Sequence, residues 1–173
     1  KIDGCSIALQ YEDGLLTKAI SRKGKDVTSK LKDISNIPSK IKVKKIFQVR
    51  GELFAPSENE RPTYAKRLAS EYLRATHSKS DHLGFCCYQI LNARINQYNS
   101  LKYLEKLGFN IPENYFCNYT TGIEIFRKNW VDKKLFYNYP TDGIVIKINS
   151  RKLQLLRDKS YGAYPHWQIA IKN

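Results

Sequence analysis

The sequence predicts an α+β chain, mainly antiparallel strands crossed by a few helices. Three observations point there. Alternating or wholly apolar runs of strand length recur at both ends and in the middle. Three stretches with helical spacing or helix-start chemistry lie between them. Asp13-Gly14 joins two apolar runs at the start, and Asp-Gly is the chemistry of a tight antiparallel hairpin.

Taken in order, residues 1–22 read as that hairpin, "SIALQY" and "LLTKAISR" flanking Glu12-Asp13-Gly14, with loop chemistry following at "KGKDVTSK". "KIKVKKIFQVRGELFA" (40–55) alternates as one long strand, with Val43, Phe47, Val49 and Leu53 as apolar anchors and lysines facing out. In "RPTYAKRLASEYLRAT", Tyr64, Leu68, Ala69, Tyr72 and Leu73 recur at helical spacing, and Pro62 suits a first turn. "HLGFCCYQIL" reads as a buried strand on which Cys86 and Cys87 point to opposite faces. "SLKYLEKLGF" is an amphipathic helix stopped by Gly108 and Pro112. "TGIE" fits a capping box, Thr121 at the cap and Glu124 three residues on, opening a helix to about residue 135. "GIVIKIN" (143–149) alternates Ile144, Ile146 and Ile148 against Val145, Lys147 and Asn149, and "HWQIAIK" is the last strand. The sequence has no internal repeat and no low-complexity linker.

The bulk properties narrow the function. The 173 residues, 42% apolar, are the size of one domain with a real core and contain no run long enough for a membrane helix. No signal-peptide pattern leads the chain, and the absence of methionine suggests a piece of a longer protein. Thirty Lys and Arg against 16 Asp and Glu leave +14, which suits a phosphate-rich partner or a solvated lysine-rich surface. Cys5, Cys86, Cys87 and Cys117 form no CxxC pair, which argues against a zinc site and a disulfide framework and for a reducing, intracellular setting.

Several charged residues sit where strands would not ask for them. Lys1 and Asp3 stand two apart before Gly4, Arg50 and Glu52 interrupt an apolar strand, Asp142 opens another with Lys147 five residues on, and Lys172 follows Trp167 by five. Lysines at strand ends usually snorkel to solvent, so no one of these motifs carries much alone. Together and in this order, "KIDG", "ISRKGKDVT", "VRGELF", "YAKRLASEYLR", "LGFCCY", "DGIVIKI" and "PHWQIAIK" resemble the motifs of the nucleotidyltransferase superfamily of DNA ligases, RNA ligases and mRNA capping enzymes. The nearer match is the adenylation domain of NAD-dependent DNA ligases, and the resemblance spans the whole chain. There are departures. The Arg-bearing segment is short, "NYPTDG" replaces the usual approach to the fourth motif, Lys134 is the nearest counterpart of an expected arginine, and His166 stands where the family usually has Arg.

The resemblance implies a nucleotidyltransferase (ATP-grasp-like ligase) fold around an AMP pocket, residues 1–173 forming the adenylation core of a larger, multidomain ligase. It implies that Lys1 takes AMP from NAD and passes it to the 5′-phosphate of nicked double-stranded DNA, with Mg²⁺ assisting. An amine attacks phosphorus once neutral, and nearby positive charge and partial desolvation favour that form. Lys147 and Lys172 would supply the charge and hold the transferring phosphate, Asp3 would orient a lysine, and Asp142 with Glu52 would hold the metal. Glu52 would bind a ribose hydroxyl, Arg22 the sugar–phosphate side, and Tyr88 and Val145 the two faces of adenine. Arg67 and Arg74, seven apart on one helix face, would bind the 5′-phosphate of the nick or AMP, or else form surface salt bridges with Glu71 or Glu60. Lys23, Lys25, Lys30, Lys32, Lys40, Lys42, Lys44 and Lys45 would track DNA phosphates. The expected protein is a monomer in a bacterial cytoplasm or, for a viral protein, in a host cell. Two other readings stay open: an ATP-dependent ligase or GTP-using capping enzyme on the same scaffold, and a basic nucleic-acid-binding domain without catalysis.

Overall fold

A computed structural model describes residues 1–56, 62–76, 82–158 and 165–172. The elements follow one another as β1 (Cys5–Glu12), β2 (Leu15–Ser21), α1 (Thr28–Leu31), β3 (Phe47–Phe54), α2 (Pro62–Arg74), β4 (Gly84–Ile90), α3 (Gln97–Lys106), α4 (Thr120–Val131), β5 (Ile144–Lys147), α5 (Arg151–Arg157) and β6 (Gln168–Ile171). The strands form a four-stranded antiparallel sheet ordered β2-β1-β3-β4 and a two-stranded antiparallel sheet β5-β6. The expected α+β class is therefore observed. Among the described residues no helix is long and apolar enough to cross a membrane.

The hairpin forms where Asp-Gly predicts it. Asp13 and Gly14 have φ of 48° and 82°, the left-handed pair that matches the strand twist. Residues 1–4, expected within this hairpin, instead pair elsewhere: Ile2 bridges Thr141, and the Asp3 amide donates to Pro140 O at 2.9 Å. The long strand expected over 40–55 is shorter. Residues 39–41 touch only the start of β2, through Leu16 N to Ser39 O and Ile41 N to Gly14 O, and Ile41 is buried there. Beyond that, β3 has partners only from Phe47, opposite Tyr11 of β1, so the lysine-rich 42–45 never enters the sheet.

Three further elements differ from expectation. The presumed loop at 23–30 contains the start of α1, where Asp26 Oδ1 accepts from Thr28 N and Oγ1 at 2.9 and 2.6 Å. Helix α4 starts one residue ahead of the expected capping box; its cap is Tyr119 and makes no side-chain cap bond. Helix α5 was not foreseen, although Ser150 at its start accepts from Leu153 N at 3.4 Å.

Alternation divides the large sheet into two chemically different faces. Ile7 and Leu9 of β1, Val49 and Leu53 of β3, and Phe85 and Cys87 of β4 point into the main core, where Leu31, Ile34, Ala69, Tyr72, Leu104 and Phe109 meet them. The other face carries Ser6 and Ala8, Arg50 and Glu52, and Tyr88, which open onto a cavity. Cys86 packs with Phe54 and Tyr139 in a smaller cluster, so the adjacent cysteines do go to opposite faces. All four cysteines are free thiols.

Leu104 is fully buried where α3 meets the sheet. Leu104→Ala should cost roughly 2–5 kcal/mol, read as a lower urea midpoint with an unchanged denaturant slope.

Candidate nucleotide-binding site

The polar face of the large sheet, the small sheet and one face of α2 enclose a cavity of about 1940 Å³. Lys1, Asp3, Arg22, Glu52, Arg74, Tyr88, Val145 and Lys147 line it, so most of the residues expected at a nucleotide site share one space. Gly4 permits this closure, because a Cβ there would stand 2.2 Å from Leu53 O where the first residues run against β3.

At the floor lies Lys1, whose Nζ donates to both carboxylate oxygens of Asp142, at 2.5 and 2.6 Å; Asp142 and Lys172 stand just behind the lining rather than in it. Lys172 Nζ stands 3.5 Å from Asp142 Oδ2, so one carboxylate holds two lysines. Backbone pairing sets this up: the Asp142 amide donates to Lys1 O at 3.1 Å, next to the Ile2–Thr141 bridge. Burial pushes the Asp142 carboxyl up, but the hydrogen bond and charge of Lys1, with those of Lys172, outweigh it and leave the group below its usual value.

On the sheet wall, Tyr88 is a hub. Its hydroxyl lies 3.4 Å from Glu52 Oε2 and 3.3 Å from Ser6 Oγ, and its carbonyl accepts from Lys147 Nζ at 3.5 Å. The Lys147 ammonium sits 4.8 Å from the centre of the Tyr88 ring and 5.8 Å from that of Trp167. Burial lowers Lys147 to about 8, with Arg50 adding to the fall. Burial likewise raises Glu52 to about 7, against the hydrogen bond from Tyr88 and the charges of Lys66 and Lys1. Both shifts come from a water-poor wall, a setting in which electrostatic attraction to a phosphate or a hydroxyl is strong.

Two arginines part company. Arg74 lines the cavity and bonds back to Ser70 O at 3.2 Å. Arg67 instead pairs with Glu71, Nε to Oε1 at 3.4 Å, and lies over Tyr64. The face of α2 that meets the cavity carries Lys66, Ser70, Leu73 and Arg74, and Lys66 Nζ stands 3.6 Å from Asp3 Oδ1. Thus Asp3 does face a lysine, one that sequence reading passed over in favour of its neighbour. The i, i+4, i+7, i+8 spacing of 66, 70, 73 and 74 was the available signal. Glu60, the other partner considered for the arginines, lies outside the described residues.

Arg22 is exposed at the cavity rim, and its amide donates to Ser6 O. Lys30 leaves the expected phosphate-tracking set, since its Nζ donates to Ala75 O at 2.5 Å and lies over Tyr72. Lys134 pairs with Asp132 at 3.3 Å. Trp167, singled out only as a landmark, is buried in the cavity wall, and among the described residues its Nε1 is a buried donor without a hydrogen-bond acceptor.

The donor set does not fit a protein-held Mg²⁺. Both Asp142 oxygens are taken by Lys1, Glu52 is drawn toward its neutral form, and no group of three acidic, histidine or cysteine side chains among the described residues converges on one point.

Residues 1–173 match the family model described as NAD-dependent DNA ligase adenylation domain. Among curated proteins the chain is 34% identical over 197 residues to a DNA ligase of Petrotoga mobilis and 30% identical over 197 residues to one of Pseudothermotoga lettingae. It is also 34% identical over 199 residues to a DNA ligase of Mycoplasma capricolum. In each case 99% of this chain is covered, and it spans 29% of the relative's length.

The raised Glu52 has a measurable consequence. Between its ordinary value of 4.5 and about 7 the folded chain keeps a proton that the unfolded chain has released. Its contribution to stability is full below that window and is lost as pH rises through it. Glu52→Gln should therefore match the parent in urea unfolding at pH 4 and exceed it at pH 8, by on the order of 2 kcal/mol.

Proposed function

This chain belongs to the family of NAD-dependent DNA ligase adenylation domains, and we propose that its pocket takes the AMP half of NAD and forms lysyl-AMP on Lys1. In this reading residues 1–173 are the nucleotidyltransferase core of a longer ligase, and the AMP passes on to the 5′-phosphate of nicked double-stranded DNA. The observation that carries the proposal is the clamp of Lys1 on Asp142, 2.5 and 2.6 Å, set at the floor of a cavity whose wall holds Lys147, Glu52 and Tyr88.

The Lys1 nitrogen attacks the adenylyl phosphorus. A P–N bond forms, the bond to the bridging oxygen breaks, and nicotinamide mononucleotide leaves with that electron pair. One ammonium proton passes to Asp142, which already accepts from this nitrogen, and so frees the lone pair that attacks; the second leaves the nitrogen after the P–N bond forms and is taken by the departing mononucleotide phosphate or by solvent. As Lys1 loses its charge, the main influence holding Asp142 ionised goes with it, and the desolvation of Asp142 then favours taking the proton. Lys147 and Lys172 hold the phosphoryl oxygens, whose negative charge persists through a loose transition state. Glu52 receives a ribose hydroxyl, Tyr88 and Val145 take the adenine, and Arg22 takes the sugar–phosphate edge. Arg74 with Lys66, rather than Arg67, receives the 5′-phosphate at the cavity end of α2. Mg²⁺ enters this reading only as a companion of the dinucleotide phosphates, since the described side chains form no cage for it. In this reading the chain works as a monomer in a bacterial cytoplasm, and the DNA ligases to which it is similar support DNA as the substrate.

In the full-length protein, NAD should add the mass of one AMP, and Lys1→Ala should abolish the gain while changing affinity for nicked duplex by less than about twofold. That affinity should fall at least about 100-fold between 50 and 200 mM salt, because phosphate contacts release counterions. A mass gain from ATP instead of NAD would move the pocket to the ATP-dependent branch. No gain from either would leave a basic binding domain.

A further inference from the structure

Helix α4 is poorly rooted: none of its residues is buried, and Tyr119, Ile125 and Val131 at and along it are exposed. One side chain nevertheless ties it firmly to the floor of the site. Trp130 Nε1 donates to Thr141 Oγ1 at 2.8 Å. Thr141 is bridged to Ile2, with the Asp3 amide on Pro140 O at 2.9 Å on one side and the Asp142 amide on Lys1 O at 3.1 Å on the other. The indole therefore grips a residue whose neighbours in the chain and across the bridge are the two halves of the clamp, Asp142 and Lys1.

We propose that Trp130, acting through the hydroxyl of Thr141, sets the position of Asp142 against Lys1 and thereby the rate at which Lys1 is adenylylated. Trp130 does not line the cavity, so it is a positioning residue and touches no ligand. The physics is specific to this pair. An indole can only donate, so it fixes which rotamer of Thr141 presents its oxygen. A β-branched side chain has few rotamers, so fixing the oxygen also restrains the backbone from which Asp142 projects. Displacements of an ångström at a reacting pair change rates by orders of magnitude. The hydroxyl lies in "NYPTDG", the segment where this chain departs from the pattern it otherwise resembles.

The inference rests on Lys1 being the AMP acceptor, so it is tested by two readouts in the full-length protein. The first is single-turnover adenylylation by NAD in W130F, T141V, T141S and the W130F/T141V double variant. Both W130F and T141V should lose about tenfold in rate with KM for NAD within twofold. T141S, which keeps the oxygen, should restore the rate, and the double variant should be no slower than either single one. The second readout needs no AMP transfer: hydrogen exchange of the Lys1 ammonium, followed by NMR with ¹⁵N-lysine, should be faster in W130F and T141V than in the parent and slow again in T141S. Unchanged exchange and rate in both variants would overturn the proposal. So would additive losses in the double variant, or a loss in T141S equal to that in T141V. A parent that takes no AMP while its Lys1 exchange still responds to W130F would sink the functional reading and leave the strut standing.

Discussion

Asp142 accepts both hydrogen bonds from Lys1 and stands 3.5 Å from Lys172, so segments at positions 1, 142 and 172 meet at a single negative charge. Without it, the Lys1 and Lys172 ammonium groups would face each other beside a cavity whose wall already holds the half-buried Lys147. Lys172 is 62% exposed, so solvent screens part of that repulsion, and Asp142 offsets the rest. Asp142 therefore makes the cluster possible as well as orienting it. It neutralises part of the charge, fixes where Lys1 points, and leaves positive potential over the rest of the floor. The backbone prepares the contact, since Ile2–Thr141 pairing and the bonds on either side bring the first residues against 140–142 before any side chain acts.

The two-faced sheet carries the same logic outward. β3 has Val49 and Leu53 on its core face and Arg50 and Glu52 on the other, so the strand that anchors the core also delivers the polar wall. A one-residue slip would exchange the faces and cost both. Core packing therefore enforces the register on which the site depends, and Gly51 lets the strands close up: a Cβ there would lie 2.3 Å from Phe85 Cζ.

How legible this was in the sequence varied with the range of the interactions. The hairpin, β4, α2 and the positions of Lys1, Glu52, Tyr88, Asp142 and Lys147 could be read, because local turn chemistry, period and motif order carry them. The strand expected over 40–55 failed because alternation records a capacity to be a strand, whereas pairing depends on whether β1 offers residues opposite, and β1 ends at Glu12. The capping box at Thr121 failed because the chain enters α4 two residues earlier, with Tyr119 at the cap. Lys66 was missed beside Arg67, whose alternative reading as a Glu71 partner is the one observed, because two adjacent cations on a helix differ only in angle, and that angle is set by how α2 lies on the sheet. The coupling of Trp130 to Thr141 spans different elements and has no local signature.

The wall also shows what such a site costs. Glu52 is drawn toward neutrality, Lys147 toward losing its proton, and Trp167 Nε1 lacks an acceptor among the described residues. Each group would be better solvated outside the fold, so none is there to stabilise it. Their placement is affordable because the opposite face of the same sheet is densely apolar, with Ile7, Leu9, Val49, Leu53 and Cys87 almost wholly excluded from water. A bound nucleotide would relieve much of the strain on the polar face: phosphate oxygens for the lysines and a ribose hydroxyl for Glu52. The binding free energy of such a ligand is then drawn partly from interactions left unmade in the empty fold.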